Sequence, residues 1–199
     1  MYKRQPEHKA IGWGDIWTWT AIDADTKLVP CWYVGARNAL SASVFIDDLS
    51  KRLGSRVQLT TDGLKTYIEA VEGAFGCDID YAMLVKIYGP EQHPGEARYS
   101  PAQWIGSKKT VVQGNPDHKH ISTSYCERQN LTMRMSMRRF TRLTNAFSKK
   151  VENLEAAVSL HFMNYNFARI HQTLRVTPAM AAGVSDHVWS IAEIVDLLG

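Results

Sequence analysis

The chain has 199 residues, 45% of them hydrophobic, with 23 Lys and Arg against 20 Asp and Glu, which is enough apolar material for an ordinary core at a net charge of only +3. No run approaches the ~18 to 20 uncharged apolar residues that cross a bilayer, and the opening MYKRQPEHK lacks the apolar stretch of an export signal, so the expectation is neither a membrane-spanning nor an exported protein. The three cysteines, Cys31, Cys77 and Cys126, stand far apart with no CxxC pair, which excludes a disulfide framework or cysteine zinc site and makes a reducing cytoplasm the default compartment.

In chain order, the β-branched and aromatic runs IWTWTAID (16–23) and LVPCWYV (28–34), joined by a polar turn, predict a β-hairpin. Asn38 is a candidate N-cap for a helix over ALSASVFIDDLSKRL, with a partial stripe of Leu40, Val44, Ile46 or Asp47, and Leu53 and a stop at Gly54. VQLTT (57–61) reads as a short strand that delivers Asp62 and Gly63 to the start of a second helix from Leu64. YAMLVKIY (81–88) is a further strand. Residues 89–120, rich in Gly and Pro, lose all periodicity and predict a long loop or insertion. From Ser124 to Lys150 no Gly or Pro occurs, and Val151, Leu154, Val158, Phe162 and Tyr165 make an apolar stripe, so two helices or one bent helix are expected here, followed by a short helix near Trp189–Leu198. Strands interleaved with helices and then long helices give an α/β fold class.

Charge is unevenly distributed. Between Glu127 and Lys150 stand seven basic residues, Arg128, Arg134, Arg138, Arg139, Arg142, Lys149 and Lys150, against one acid; this +6 leaves the rest of the chain at −3. A concentrated basic strip points to a polyanionic partner, and a solvated helix face is the plainer alternative. On a helical wheel with ~100° per residue, Arg134, Arg138 and Arg142 lie within roughly 60° of Glu127, while Met133, Met137, Phe140 and Leu143 lie on the far side. Arg128 and Arg139 fall off the centre of that basic face. Glu127 has Asn130 and Leu131 at i+3 and i+4, so an intrahelical ion pair does not account for it.

Asp62, between a strand and a helix, is either a turn residue or a ligand-binding carboxylate at a strand end. Two carboxylates from separate elements suit divalent cations, which prefer hard oxygen donors and bind phosphates at their open positions. Three further features carry less weight. His118 and His120 are loop histidines able to meet metal or phosphate but more often solvated. Cys126 is a packed thiol. Trp104 is a candidate stacking platform for a base, against the commoner packing role.

The runs TWTAIDADTKLVP, QLTTDGLKTY and YCERQNLTMRMSMRRFTRLTNAFSKK resemble bacterial transposases of the insertion-sequence-one family, and YNFARIHQTLRVTPAMAAG is similar to the C-terminal part of many insertion-sequence transposases. The likeness spans about Gly14 to Leu198, with YCERQN and its basic helix the most specific motif. It implies an RNase H-like mixed sheet flanked by helices. It divides the chain into a DDE catalytic core over 1–150, with the insertion 89–120, and a C-terminal helical extension over 151–199. By position, Asp62 resembles the second aspartate and Glu127 the glutamate of the catalytic triad, with 64 residues between them. The two would hold Mg²⁺ or Mn²⁺, two ions in the intact family site, while the basic residues above position the DNA.

The family's first aspartate lies in a DE-x-W strand that would precede the hairpin; Asp23 resembles the non-catalytic aspartate of the second strand, and neither it nor Asp15 takes the vacant role. The resemblance thus implies a truncated core that lacks its first strand, is destabilised where that central strand would pair, and is inactive in strand transfer on its own. It also implies DNA partners, both transposon ends and target, self-association, and a cytoplasmic, nucleoid-associated place. The alternative is a non-catalytic remnant that binds DNA or transposase subunits and inhibits them.

Overall fold

A computed structural model describes residues 16–89, 103–141, 146, 148 and 150–197. The fold is mixed α/β and divides into two compact units, one of residues 1–52 with 124–199 and one of residues 53–123. These units cut across the expected division at residue 150. No helix among the described residues is long and apolar enough to cross a membrane.

The first unit opens with the expected hairpin. Strand β1 (Trp17–Thr20) pairs antiparallel with β2 (Trp32–Gly35), Trp17 opposite Gly35 and Thr20 opposite Trp32. Alternation buries Trp19 and Val34. The turn is built by Asp23, whose carboxylate accepts the N–H groups of Asp25 at 3.3 Å and Thr26 at 3.1 Å, a local arrangement short polar side chains favour. These hydrogen bonds outweigh burial and hold the Asp23 carboxyl below its ordinary pKa.

Helix α1 (Ala39–Arg52) starts where Asn38 Oδ1 accepts the Ser41 N–H at 2.9 Å. Of the expected stripe Ile46 is buried, but it is joined by Ala42, Phe45 and Leu49, while Leu40 is 73% exposed. Cys31, just before β2, is buried and donates to Asp48 Oδ2 of this helix at 2.9 Å. Burial first, then the Asp48 carboxylate, pushes its thiol pKa far up.

The rest of this unit is helical. Helix α3 will denote Ser124–Ser136, and α4 denotes Val151–Met163, which continues as a π-helical turn over Asn164–Ala168. Val158, Phe162 and Tyr165 from this last stretch meet Met133 of α3 and Val29 and Val34 of the hairpin in one core, with Trp32 tilted on Phe162 at 5.1 Å. Asn166 locks the arrangement: its Oδ1 accepts the Val29 N–H at 3.1 Å and its Nδ2 donates to the Val29 carbonyl at 2.9 Å, all buried. Two short helices, α5 (Pro178–Ala181) and α6 (Ile191–Asp196), follow. The second begins with a capping box of Ser190 and Glu193.

The expected helical run to Lys150 is broken. Helix α3 stops at Ser136; Met137 is extended, and Arg138–Phe140 form a 3₁₀ turn. The reason is burial: turning the chain here brings Met137 and Phe140 onto the core that Met133 already touches.

In the second unit β3 (Gln58–Thr61) runs parallel to β4 (Asp80–Tyr88) through helix α2 (Thr66–Phe75), a βαβ crossover. The region expected to be loop contains a ten-residue strand, β5 (Trp104–Gln113), antiparallel to β4, giving the order β3-β4-β5. Nearly every β5 residue is exposed, so it carries no apolar alternation by which a strand is read. Buried Val71, Ile79, Tyr81 and Ala82 form the interior of this unit. Arg56 clamps its lower end, donating to Asp80 at 2.8 and 3.0 Å, while the Asn115 N–H donates to the same carboxylate at 2.7 Å. The guanidinium and that N–H hold the Asp80 pKa down at about 2. Gly114 has φ 67°, and a Cβ there would lie 2.7 Å from the Ile79 carbonyl and collide with Asp80, so only glycine fits.

Candidate functional site

Asp62 stands at the carboxyl end of β3, exposed, in the second unit. The parallel β3–β4 pair sets that position. Thr61 is buried with its hydroxyl 2.8 Å from Tyr81 Oη, and Gly63 passes so close to β4 that a Cβ would meet Val85 Cγ2 at 2.8 Å. Asp62 Oδ1 accepts the Leu64 N–H at 3.0 Å, which is the turn role. Among the described residues no hydrogen bond reaches Oδ2, so one carboxylate oxygen builds the turn and the other faces solvent.

Glu127 lies in the first turn of α3, exposed, in the first unit. The turn is docked by Cys126, whose thiol donates to the Thr20 carbonyl at 3.4 Å and lies 3.5 Å from the Thr20 hydroxyl. Cys126 is thus the packed thiol expected. Asp62 and Glu127 belong to different units. Among the described residues no group of three or more His, Cys, Asp or Glu side chains is placed to hold a metal ion. Both carboxylates are hard, exposed oxygen donors, chemically suited to Mg²⁺ or Mn²⁺.

The basic residues separate into three groups. Arg128 and Arg134 are exposed on α3, as expected. Because the helix ends at Ser136, Arg138 does not continue their face; it is exposed on the 3₁₀ turn, and the single arginine row predicted by the wheel is not formed. Arg139 is half-buried and donates to the Asn153 carbonyl at 2.9 Å and to the Ser148 hydroxyl, tying the 3₁₀ turn to the start of α4. It is a structural residue. Lys150 is exposed beside α4, while Arg142 and Lys149 lie outside the described residues.

Two cations that the sequence did not single out pack against α3, Lys27 at its first turn and Arg169 at its last residue. Lys27 in the hairpin turn, at φ 60°, sets its ammonium 4.1 Å above the Tyr125 ring, and its carbonyl accepts from Tyr165 Oη at 3.1 Å. Arg169 follows the π turn and donates to Ser136 Oγ at 3.4 Å. His171 is half-buried, and its Nδ1 is buried with no hydrogen-bond partner among the described residues. Its pKa is lowered by burial, then by the charges of Lys27, Arg169 and Arg128. His161 is lowered likewise, by burial and then Arg169. Lys27, Arg128 and Arg169 thus act on one imidazole from three separate segments. Asp23 is the carboxylate that Lys27 also acts on, and it is engaged in its own turn. Such a patch suits a phosphate-bearing partner, which would relieve mutual repulsion among the cations. Only their meeting in space reveals them; within YNFARIHQT and DTKLVP each is one more polar residue.

His118 and His120 are exposed in the turn after β5. That turn is pinned to β3 by paired hydrogen bonds between Gln58 and Asp117, at 3.1 and 2.7 Å. His120 Nε2 is 4.0 Å from Asp117 Oδ2.

No family model, curated protein or solved structure matches the chain.

Proposed function

We propose that this chain is the DDE-type core of a DNA transposase of the insertion-sequence-one kind, which cleaves and rejoins DNA at the ends of a mobile element. The observation that carries the reading is the grouping of Lys27, Arg128 and Arg169, three cations from separate segments that act together on His171, with Lys27 seated over the Tyr125 ring at the start of α3. It supports a polyanion as partner. In this proposal Asp62 and Glu127 supply two of the carboxylates for Mg²⁺ or Mn²⁺, and those ions, when bound, polarise the scissile phosphate and ease ionisation of the attacking hydroxyl. The chain's own basic residues do the positioning. Arg128, Arg134 and Arg138, joined by Lys27, Arg169 and Lys150, hold the DNA backbone, and Arg142 and Lys149 extend the strip in sequence.

The RNase H-like assignment belongs to the same proposal. A hairpin, a helix and a parallel βαβ unit follow one another in the order that fold has. In this reading the 199 residues bind DNA through their basic side chains and contribute Asp62 and Glu127 to the metal. Self-association on two DNA ends is part of the reading.

The test uses the 199-residue chain, a 30-base-pair duplex and Mn²⁺. Duplex affinity should fall steeply with salt, and DNA-dependent Mn²⁺ binding, followed by its paramagnetic signal, should be lost in both Asp62→Asn and Glu127→Gln. A salt-independent affinity, or Mn²⁺ binding untouched by either substitution, overturns the proposal.

A further inference from the structure

Just before α6 the chain holds an imidazole between two carboxylates. His187 Nδ1 lies 2.6 Å from Asp186 Oδ1, and Nε2 lies 2.9 Å from Glu193 Oε1. An ionised carboxylate can only accept, so both contacts are hydrogen bonds only while the ring carries both protons. A neutral imidazole has a single N–H and must turn a lone pair toward one of the two acids. Both acids are held ionised. The Ser190 N–H donates to Glu193 Oε2 at 2.7 Å, and Ser190 first, then His187, brings the Glu193 pKa down to about 2. Asp186 is lowered first by His187. His187 is raised in turn, by Asp186 and then by Glu193, and those are the charges that act on the ring.

The position makes these contacts mechanical. Glu193 belongs to the capping box that begins α6, so a pull on its carboxylate is a pull on the helix. On the other side the His187 ring lies parallel to Trp189, with centroids 6.0 Å apart and an interplanar angle of 4°. Trp189 packs on Phe167 of the π turn at 5.2 Å, and its backbone N–H donates to the Phe167 carbonyl at 3.0 Å. Its indole N–H donates to Ser185 Oγ at 3.0 Å. The π turn thus meets this segment with an uncharged ring, and the imidazole couples α6 to it. Beyond the imidazole, Ile191, Val195 and Leu197 are all exposed. An ordinary surface ion pair accounts for either contact alone. Two acids on opposite edges of one ring make the pairing conditional on the proton, since its loss turns one attraction into a lone-pair repulsion.

We propose that His187 is a proton-operated latch: protonated, it fastens the start of α6 to segment 185–189, and deprotonated it releases that helix together with its exposed apolar side chains. Because the folded ring holds its proton more tightly than a free imidazole, the latch is fully closed below about pH 6.5 and opens as pH rises through the folded value. The sign is opposite to that of His161 and His171, whose pKa values burial lowers. The latch needs neither DNA nor metal, so it stands or falls independently of Asp62 and Glu127.

The test is NMR on the full chain at low salt, without DNA. Titration of the His187 ring should give a pKa above the ordinary value of about 6.5, falling in both Asp186→Asn and Glu193→Gln. The Ile194 amide donates to the Ser190 carbonyl within α6, and its exchange protection, corrected for the intrinsic rate, reads the state of the helix. Between about pH 6 and about pH 8.5 that protection should fall about 2- to 5-fold in the parent, the worth of an exposed ion pair. His187→Phe keeps a ring over Trp189 without the charge and should show the lower protection at both pH values. Should that variant fold poorly, the titration of the parent decides. A His187 pKa at or below the ordinary value, or parent protection that is the same at both pH values, overturns the proposal. So does a folded His187→Phe chain with protection equal to the parent's at the lower pH.

Discussion

His171 gathers three cations around an imidazole that burial already keeps neutral, and this gives DNA binding a definite pH dependence. Its pKa lies below the ordinary 6.5. A bound polyanion neutralises Lys27, Arg169 and Arg128 and raises it, so binding takes up a proton. Affinity should therefore increase as pH falls from about 7 to about 5.5 and be flat above, and His171→Gln should remove most of that slope. A pH-independent affinity in the parent, measured by anisotropy at constant ionic strength, would count against the cluster as a phosphate site. The stability of the unliganded fold runs the other way: His161 and His171 fold as neutral groups, so stability is full above about pH 6.5 and declines as pH drops through it. Asp62 and Glu127 were legible in the sequence as a strand-end and a first-turn carboxylate, because each depends on local order alone. Lys27, Arg169 and His171 were not, since a hairpin turn and the segment beyond a helix must meet before their charges add.

At the scale of elements, the end of α3 at Ser136 sorts the arginines by role. Arg134 remains on the helix surface, and Arg134→Gln should lower the duplex salt slope by about 0.9 without changing stability. Arg139 ties two elements together, so Arg139→Gln should shift the urea midpoint and leave the salt slope alone. The reverse pattern would show that the 3₁₀ turn was misjudged as structural. The helical wheel could not foresee this break. Met137 and Phe140 satisfy a continuous helix in periodicity, and only the position of the core they reach decides against it. Strand β5 was missed for the opposite reason: exposed on both faces and paired through a distant partner, it has no burial pattern to read. The hairpin, α1, β3, α2 and β4 were readable because turn chemistry, capping and apolar runs agree locally at each of them.

For the whole molecule, the first unit holds its distant segments together largely through the Asn166–Val29 clasp and the Phe162 core. Asn166→Ala strands two buried backbone groups and should cost about 2 to 4 kcal/mol in urea unfolding. Phe162→Ala should cost about 3 to 5 kcal/mol. An Asn166→Ala loss under about 0.5 kcal/mol would mean that solvent reaches Val29 after all.

The thiols offer a way to follow such openings. Cys77 is exposed in the second unit, whereas Cys31 in the first is sealed beneath α1 with its proton held toward Asp48. Alkylation at neutral pH should thus tag the former within the native protein and the latter only after the hairpin and α1 have come apart. The chain carries its own pair of chemical clocks, one running from the start and the other set going by unfolding.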